Sequence, residues 1–580
     1  VSARVAKTRW SEGRIRLGLL GLCLAVAWLG MGIRLYQVQV LNASQLAEAG
    51  VGQRQTEEVL LPQRGNIFDR NGDPMAMTVD SRSIYLRPAE ITEPLYVAQQ
   101  VGGLLGVPAE GLLESIGSGE QFVYVKRQVE LNQAEEVLSL NLAGVHAHEE
   151  PKRVYPTGSV ASHVLGFVNI DGVGSEGIEY EFESDLRGTP GVFSFESAPG
   201  GVPIPWAPSH ATPAVPGEDL VSTVDLPVQY SAEAACAETL QVTGGTGCWI
   251  VAMEVETGAV LAIAGAPAFD PASRISTDGT GFSNFAVRGM YEPGSTMKLI
   301  SVAGAIEDGV VGPTTVIGAV ADRIELRPGA CKSDTDEVFG CYSDFERHET
   351  HDMAVADVFR QSSNVGTIKI AQMMSRDQLF FYLKAFGLGE ITGLDYPGEA
   401  KGLINLDESC QTCPASSAIG YGVAVTAVQM AAAYGAVGND GVWLQPHLLS
   451  TTHGRDGRTA TTPVASHRAV SVETAAVMRS LLSEVVEAGT GISAQVPGYL
   501  VGGKTGTANK LGEDGRYTDI TMASFVGLAP IDDPKVVVAV VVDSPVWEYR
   551  TGGLAAAPAF STVMEQALHR LGVTPDAASG

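Results

Sequence analysis

Positive charge is scarce in this sequence: 38 Lys and Arg stand against 66 Asp and Glu in 580 residues, a formal charge of −28. So acidic a surface repels a phosphate backbone, which argues against nucleic acid as a partner. There is no internal repeat, and 67 Gly with 30 Pro follow no collagen-like period, so a fibrous or wholly disordered chain is set aside. His348-Glu-Thr-His351 lacks the His-Glu-x-x-His spacing of a metalloprotease. What remains is a globular balance, 45% hydrophobic and 18% charged, in a chain too long for one hydrophobic core and suited to two or three folded units.

From Leu17 to Ile33 there are 17 residues without a charge, just under the span a bilayer asks of a helix, and Arg16 and Arg34 can snorkel to extend it. Arg4, Lys7, Arg9, Arg14 and Arg16 precede it against only Glu12. The positive-inside bias therefore leaves the N-terminus in the cytoplasm and everything after Arg34 outside. A cleaved signal ending near Ala25-Val26-Ala27 would not carry its apolar run on through Trp28 to Ile33, and a buried helix would not explain the one-sided basic flank. The run reads as a single-pass anchor.

Cysteine is sparse as well. Of seven, Cys23 lies in the span and Cys236, Cys248, Cys331, Cys341, Cys410 and Cys413 lie beyond it, in an oxidising space where six can pair. Cys331 with Cys341 is the favoured disulfide and Cys410 with Cys413 a second candidate, while Cys236 and Cys248 read as core residues; spacing alone leaves the connectivity open.

Along the chain, a mixed region runs to about residue 220 and ends in Ala198–Pro216, whose six prolines mark a linker or long surface loop. Beyond it, Asp225–Leu240 reads as a helix, Cys248–Glu254 and Ala259–Ala264 as strands, and the valine run Lys535–Val542 as a buried strand. Strands first, helices in the middle and strands last predict an α+β domain with one antiparallel sheet closed by both ends of the domain.

Three short motifs carry chemistry. Ser295 and Lys298 sit three apart at the head of an apolar helix ending at Gly309, on one helical face. A lysine amine held neutral by burial and neighbouring cations can take a serine's proton. Ser362 and Asn364, at the end of a helix-like stretch from Met353, offer a proton-relaying hydroxyl and a carbonyl-holding amide. Lys504, Thr505, Gly506 and Thr507 follow the strand-like Tyr499-Leu500-Val501. There Gly506 lets a peptide backbone pair with the strand, Lys504 and Thr505 suit a carboxylate, and the Thr507 N–H can face an oxyanion together with that of Ser295. Each motif alone is weak. Gly498 to Thr505 also satisfies a phosphate-loop pattern, but Tyr499, Leu500 and Val501 are bulky where a cradle needs small residues. Zinc on Cys331, Cys341, His348 and His351 would need thiols that an oxidising space removes.

The order Ser-x-x-Lys, Ser-x-Asn, Lys-Thr-Gly within one exported domain resembles the class B penicillin-binding proteins, above all their septal branch. Arg64-Gly65-x-Ile67-x-Asp69-Arg70-Asn71-Gly72, Arg153-x-Tyr155-Pro156-x-Gly158, Gly174-x-Glu176-Gly177-x-Glu179, Thr223-x-Asp225-Leu226 with Gln229, Tyr421-Gly422, Ser524-Phe525-Val526-Gly527 and Ala556-Ala557-Pro558 extend the likeness over nearly the whole chain after the anchor. Ser362-Ser363-Asn364-Val365-Gly366 and Lys504 to Asn509 look septal rather than elongation-type.

The resemblance implies a cytoplasmic tail (1–16), an anchor (17–36), an extended mixed α/β pedestal (37–220) and a transpeptidase domain (221–580) with an antiparallel sheet sandwiched by helices. It implies peptidoglycan D,D-transpeptidation at the inner membrane, with Ser295 as nucleophile, Lys298 as base, Ser362 as relay, Asn364 as carbonyl anchor, and Lys504, Thr505, Gly506 and Thr507 on the substrate side. Neither cofactor nor metal is called for. The implied partners are stem peptides, β-lactams as covalent inhibitors, a lipid II-polymerising membrane glycosyltransferase and other division proteins. Rival readings are an elongation-type enzyme, a D,D-carboxypeptidase or β-lactamase, and a non-catalytic muropeptide sensor; Asp69 and Arg70 read as salt-bridged packing.

Overall fold

The computed structural model describes residues 8–46, 55–197, 204, 206–207, 209–273, 283–331, 340–405, 409–454, 457–512 and 516–576. The chain divides into two compact units. One comprises Val1–Pro62 and Thr189–Val215. It holds the helix α1 (Thr8–Tyr36), which continues as a π-helical turn over Gln37–Leu41. Gly13–Leu41 is long and apolar enough to cross a membrane. The helix starts nine residues before the uncharged run because Arg and Glu support a helix as well as Leu does; hydropathy delimits the lipid-facing stretch, not the helix. In the same unit Gln55–Leu60 pairs antiparallel with Gly191–Glu196, which pairs with Ser209–Thr212. The last strand falls inside the expected linker, of which residues 198–203, 205 and 208 lie outside the described residues.

The second unit comprises Gln63–Gly188 and Pro216–Gly580. Its amino-terminal part has a three-stranded antiparallel sheet, Val123–Glu130, Ser81–Leu86 and Val145–Glu149. Ile84, Leu86 and Val145 on that sheet share a buried cluster with Val97, Val101, Leu105 and Val137 of the covering helices. A six-stranded sheet joins Ile67–Phe68, Pro74–Val79 and Lys152–Val154 edge to edge with Asp219–Ser222, Leu449–His453 and Thr459–Thr461, through the parallel pairing of Ile67–Phe68 with Asp219–Ser222.

Arg64, Arg153 and Glu179, one from each of three amino-terminal signatures, form a buried ionic cluster with Glu183. Glu179, with no exposed surface, accepts from Arg64 Nε at 2.6 Å and Arg153 Nε at 2.7 Å. A second Arg64 nitrogen reaches Glu183 at 2.5 Å, and Gly174 lies so close to the Glu179 carbonyl that a Cβ would stand 1.9 Å from its oxygen. Burial alone would raise the Glu179 pKa; the guanidiniums of Arg153 and Arg64 outweigh it and hold the carboxyl below the usual range. Asp69 makes no salt bridge among the described residues, although its charge acts on Arg570; it caps its own turn, accepting from the N–H groups of Asn71 (2.8 Å) and Asp73 (2.9 Å). Only Arg70 of that pair makes a salt bridge, to Glu254 at 3.4 Å.

The carboxy-terminal part is built on a five-stranded antiparallel sheet: β1 (Gly247–Glu254), β2 (Val260–Ala266), β3 (Gly502–Leu511), β4 (Tyr517–Ala529) and β5 (Val536–Asp543), ordered β2-β1-β5-β4-β3. The valine run is β5, buried on both faces. Val536, Val538, Val540 and Val542 join one core with α2 (Leu226–Thr243) and the terminal helix Ala557–Arg570, through Val228, Phe560 and Met564. Val537, Ala539 and Val541 join the other with Val302, Met430 and Tyr434. This is the helix-sheet-helix sandwich of the α+β reading, with strands from the start and end of the domain side by side.

Cys236 and Cys248 are disulfide-bonded rather than plain core residues. Helix α2 packs on β1, which brings positions 12 apart in sequence to a Cα separation of 5.3 Å; the linear spacing could not show that register. Cys331 is joined to Cys341 and Cys410 to Cys413.

Glu179→Gln leaves two buried guanidiniums without their shared counter-charge. The expected cost is about 3–5 kcal/mol, read as a lower urea midpoint; an unchanged midpoint refutes the role of the cluster.

Candidate active site

The Ser-x-x-Lys segment opens as a tight turn, not as the start of a regular helix. Gly294–Met297 is 3₁₀-helical and α3 (Lys298–Glu307) follows it. Thr296 Oγ1 donates to the Pro293 carbonyl at 2.9 Å, and Tyr434 Oη, on the buried helix Ala427–Gly438, donates to the Thr296 carbonyl at 2.9 Å. Ser295 is partly exposed at the head of this turn. Lys298, with no exposed surface, points into the domain.

The Ser-x-Asn residues lie between two helices rather than at the end of one. Val355–Arg360 stops, Ser362 takes φ +61°, and α4 (Asn364–Gln372) begins. Ser363 is the N-cap, its Oγ accepting from Gly366 N at 2.9 Å. Ser and Asn prefer such cap positions to helix interiors, which is why extending the pattern from Met353 through Asn364 misplaces the break. The left-handed backbone at Ser362 costs about 1–2 kcal/mol, and the bonds Ser362 N to Phe359 O (3.1 Å) and Ser363 N to Val358 O (2.9 Å) hold it there.

Ser362 is where the motifs converge. Lys298 Nζ donates to the Ser362 carbonyl at 2.6 Å, to Asn364 Oδ1 at 2.7 Å and to Ser362 Oγ at 3.2 Å. Lys504 Nζ, on β3 and equally buried, donates to the same Oγ at 2.9 Å. With both lone pairs of the hydroxyl engaged, its own proton is left to donate. Ser295 shares the turn with Lys298, as the spacing predicts, but is not among the partners of its amine, which are Ser362 and Asn364.

Two buried amines on one oxygen set the electrostatics. Burial pushes Lys298 down to about 7, against the upward pull of Asp344. Burial, and then the charge of Lys298, push Lys504 well below the ordinary lysine range. Both shifts favour the neutral amine, the form that can accept a proton; Lys298 then keeps two N–H donors, for the Ser362 carbonyl and Asn364 Oδ1, and turns its lone pair to the longer contact with Ser362 Oγ.

Strand β3 is an edge of its sheet, so its outer backbone groups are open for an added strand. Along it, Lys504 faces Ser362, while the Thr505 hydroxyl bonds the Thr490 hydroxyl at 2.7 Å and Thr507 Oγ1 accepts from Gly552 N at 3.2 Å. The space a side chain would take at Gly506 is filled from within. A Cβ there would stand 2.3 Å from Ser524 Oγ and 2.6 Å from the Pro293 carbonyl. Glycine at 506 thus seats the Ser295 turn against β3, a packing role beside the approach of a peptide backbone that its sequence suggests. Gly294, at φ +55°, is the other half of that fit: a Cβ would meet the Thr507 carbonyl at 2.7 Å.

Sequence reasoning missed Asp344, whose carboxylate binds Ser363 Oγ at 2.7 Å and Val365 N at 2.9 Å. It also missed Glu292, which accepts from Gly422 N at 2.7 Å and Tyr517 Oη at 3.1 Å. Neither belongs to a spacing pattern; the only hint was the nearness of each to a motif or a cysteine. The phosphate-loop pattern does not become a cradle, because Gly502–Leu511 continues as a strand and no helix opens at Lys504. The zinc reading fails on its thiols, which form the Cys331–Cys341 disulfide.

Residues 248–565 match the family described as "Penicillin binding protein transpeptidase domain" and residues 59–222 the "Penicillin-binding Protein dimerisation domain". The chain is 33% identical to Stage V sporulation protein D of Bacillus subtilis over 98% of its own length and 88% of that protein's. It is 29% identical to peptidoglycan D,D-transpeptidase FtsI of Escherichia coli, over 97% of its own length and 93% of that protein's. Among solved structures, penicillin binding protein 3 of Mycobacterium tuberculosis complexed with aztreonam superposes with a TM-score of 0.68 at 27% identity, over 90% of this chain and 98% of the other.

Gly506→Ala would force the Ser295 turn off β3. It is expected to cost about 1–3 kcal/mol and to lower the melting temperature; an unshifted melting curve overturns the packing role.

Proposed function

The chain belongs to the class B penicillin-binding proteins, and from that premise we propose that it is a septal peptidoglycan D,D-transpeptidase working through an acyl-enzyme at Ser295. The observation that carries the residue roles is the pair of buried lysines on one serine hydroxyl. Such a cluster can remove a proton from an incoming nucleophile and return one to a leaving amine without a metal.

In this reading Ser295 Oγ attacks the carbonyl carbon between the two terminal D-alanines of a stem peptide, and neutral Lys298 takes the hydroxyl proton. The backbone N–H groups of Ser295 and Thr507 face the oxyanion, and preorganised donors of this kind supply several kcal/mol of transition-state stabilisation. As the C–N bond breaks, the departing D-Ala amine receives a proton through Ser362, which the two lysines reprotonate. An amine from a neighbouring strand then attacks the ester and releases Ser295, closing the cross-link. Asn364 holds the peptide carbonyl, while Lys504 with Thr505 and Thr507 binds the terminal carboxylate. The open edge of β3, with Gly506 seating it against the nucleophile turn, supports binding of the peptide as an extra strand.

The working division is 1–16 tail, 17–36 anchor, 37–220 amino-terminal module and 221–580 transpeptidase domain, supported by matches over 59–222 and 248–565. The apolar helix supports single-pass membrane anchoring. The basic residues before it favour a cytoplasmic N-terminus, with the catalytic domain outside the inner membrane. There the enzyme would meet glycan strands from a lipid II-polymerising membrane glycosyltransferase, beside other division proteins. The septal assignment draws on Ser362-Ser363-Asn364-Val365-Gly366 and Lys504 to Asn509, and β-lactam acylation on the aztreonam complex of the mycobacterial structure.

Fluorescent penicillin is expected to label the protein covalently at Ser295, and Ser295→Ala to reduce labelling by at least about a thousandfold. Unchanged labelling of the variant overturns the assignment. Because Lys298 acts only when neutral and is pushed down to about 7, the acylation rate should be level above neutrality and fall about tenfold per unit below it. A rate flat down to pH 5 excludes Lys298 as the base.

A further inference from the structure

Asn364, Ser363 and Val365 are held from outside by one short piece of chain. The strand Cys341–Ser343 pairs with Arg323–Glu325, is tied at its first residue by the Cys331–Cys341 disulfide, and is anchored at its end by Asp344 N on the Asp322 carbonyl at 2.9 Å. Its last carbonyl, Ser343 O, accepts from Asn364 Nδ2 at 2.7 Å. A carbonyl can only accept, so this bond fixes the amide's orientation and turns Oδ1 toward Lys298.

Next along the chain, the buried carboxylate of Asp344 takes Ser363 Oγ on one oxygen (2.7 Å) and Val365 N on the other (2.9 Å). That locks the cap beside the strained residue Ser362. His348 completes the contact, with Nε2 3.0 Å from Asp344 Oδ2 and Nδ1 2.9 Å from the Glu349 carbonyl. Both ring nitrogens face acceptors, an arrangement that favours the protonated ring, and hydrogen bonding to Asp344 accordingly raises the His348 pKa.

We propose that Asp344 is a positioning residue: presented by the disulfide-tied strand, it holds the Ser362–Asn364 turn against Lys298 and, balanced by His348, sets the field in which Lys298 takes the proton of Ser295. The inference rests on the acyl-enzyme reading of Ser295 and deepens it. The charged groups around Lys298 are Lys504 and Asp344. Around Asp344 stands His348, and beyond it Asp322, which pairs with Arg347 at 3.6 Å.

The test measures fluorescent-penicillin acylation of the full chain against pH for the parent, Asp344→Asn and His348→Gln, with active fraction taken from the labelling end point. Asp344→Asn keeps an acceptor but loses the charge. Its rate at saturating penicillin is expected to fall about ten- to a hundredfold, and the acid limb of the profile to move down by about half a pH unit. His348→Gln keeps a donor to Asp344 and removes the balancing cation, so its limb should move up instead.

The opposed displacements separate positioning and field from loss of structure. A limb unmoved in His348→Gln, or an Asp344→Asn rate within twofold of the parent, overturns the inference. If Asp344→Asn does not fold, the displacement in His348→Gln alone decides it. A parent that does not label at all refutes the acyl-enzyme reading itself, a distinguishable result.

Discussion

The proposed chemistry of this molecule depends on one oxygen. Ser362 Oγ receives hydrogen bonds from Lys298 and Lys504, two amines with no solvent contact, and two adjacent ammonium groups cannot both be desolvated cheaply. The site relieves that cost by neutralisation rather than by pairing: among the described residues no carboxylate bonds either amine, and Asp344 acts on Lys298 through the field. A cluster short of negative charge favours an amine able to take a proton, and in the proposed mechanism the shared hydroxyl is the relay between them.

The same unit buries a second set of charges with the opposite balance. Arg64 and Arg153 meet Glu179 and Glu183 at 2.5–2.7 Å, so each cation faces a carboxylate and Glu179 stays ionised. Its full compensation makes it inert to protons and stiff, which suits a structural joint. Counting carboxylates against buried cations therefore distinguishes the two clusters before any function is assigned.

Much of this was legible in sequence, and the limits have physical causes. The valine run of β5 reads directly because a strand buried on both faces needs apolar side chains at successive positions. Lys298 and Lys504 were findable because their motifs fix residue types at fixed spacing. The break at Ser362 was not, since a left-handed residue between two helices depends on a cap bond from Ser363 and on contacts far along the chain. The packing role of Gly506 had no sequence signal: what crowds it, Pro293 and Ser524, belongs to other segments that only folding assembles. The Cys236–Cys248 bond was hidden for the same cause, helix-on-strand register. Asp344 carries no pattern at all, because its partners are a cap hydroxyl and a backbone N–H.

These hidden contacts share a direction. Gly506 seats the nucleophile turn from the strand side, Tyr434 ties the Thr296 carbonyl from the helix behind it, and Asp344 with Ser343 grips the Ser-x-Asn turn from outside. None of them needs to touch a substrate. A site that depends on two amines flanking one hydroxyl tolerates little movement, because a displacement of about 1 Å breaks hydrogen bonds of 2.6–3.2 Å. The motif residues can hold that geometry only if the segments bearing them are fixed independently. The strain at Ser362 makes the same point: a left-handed serine persists only where its surroundings over-determine it. The chemistry is therefore written in a few spaced residues, while its precision is distributed over packing that has no sequence signature.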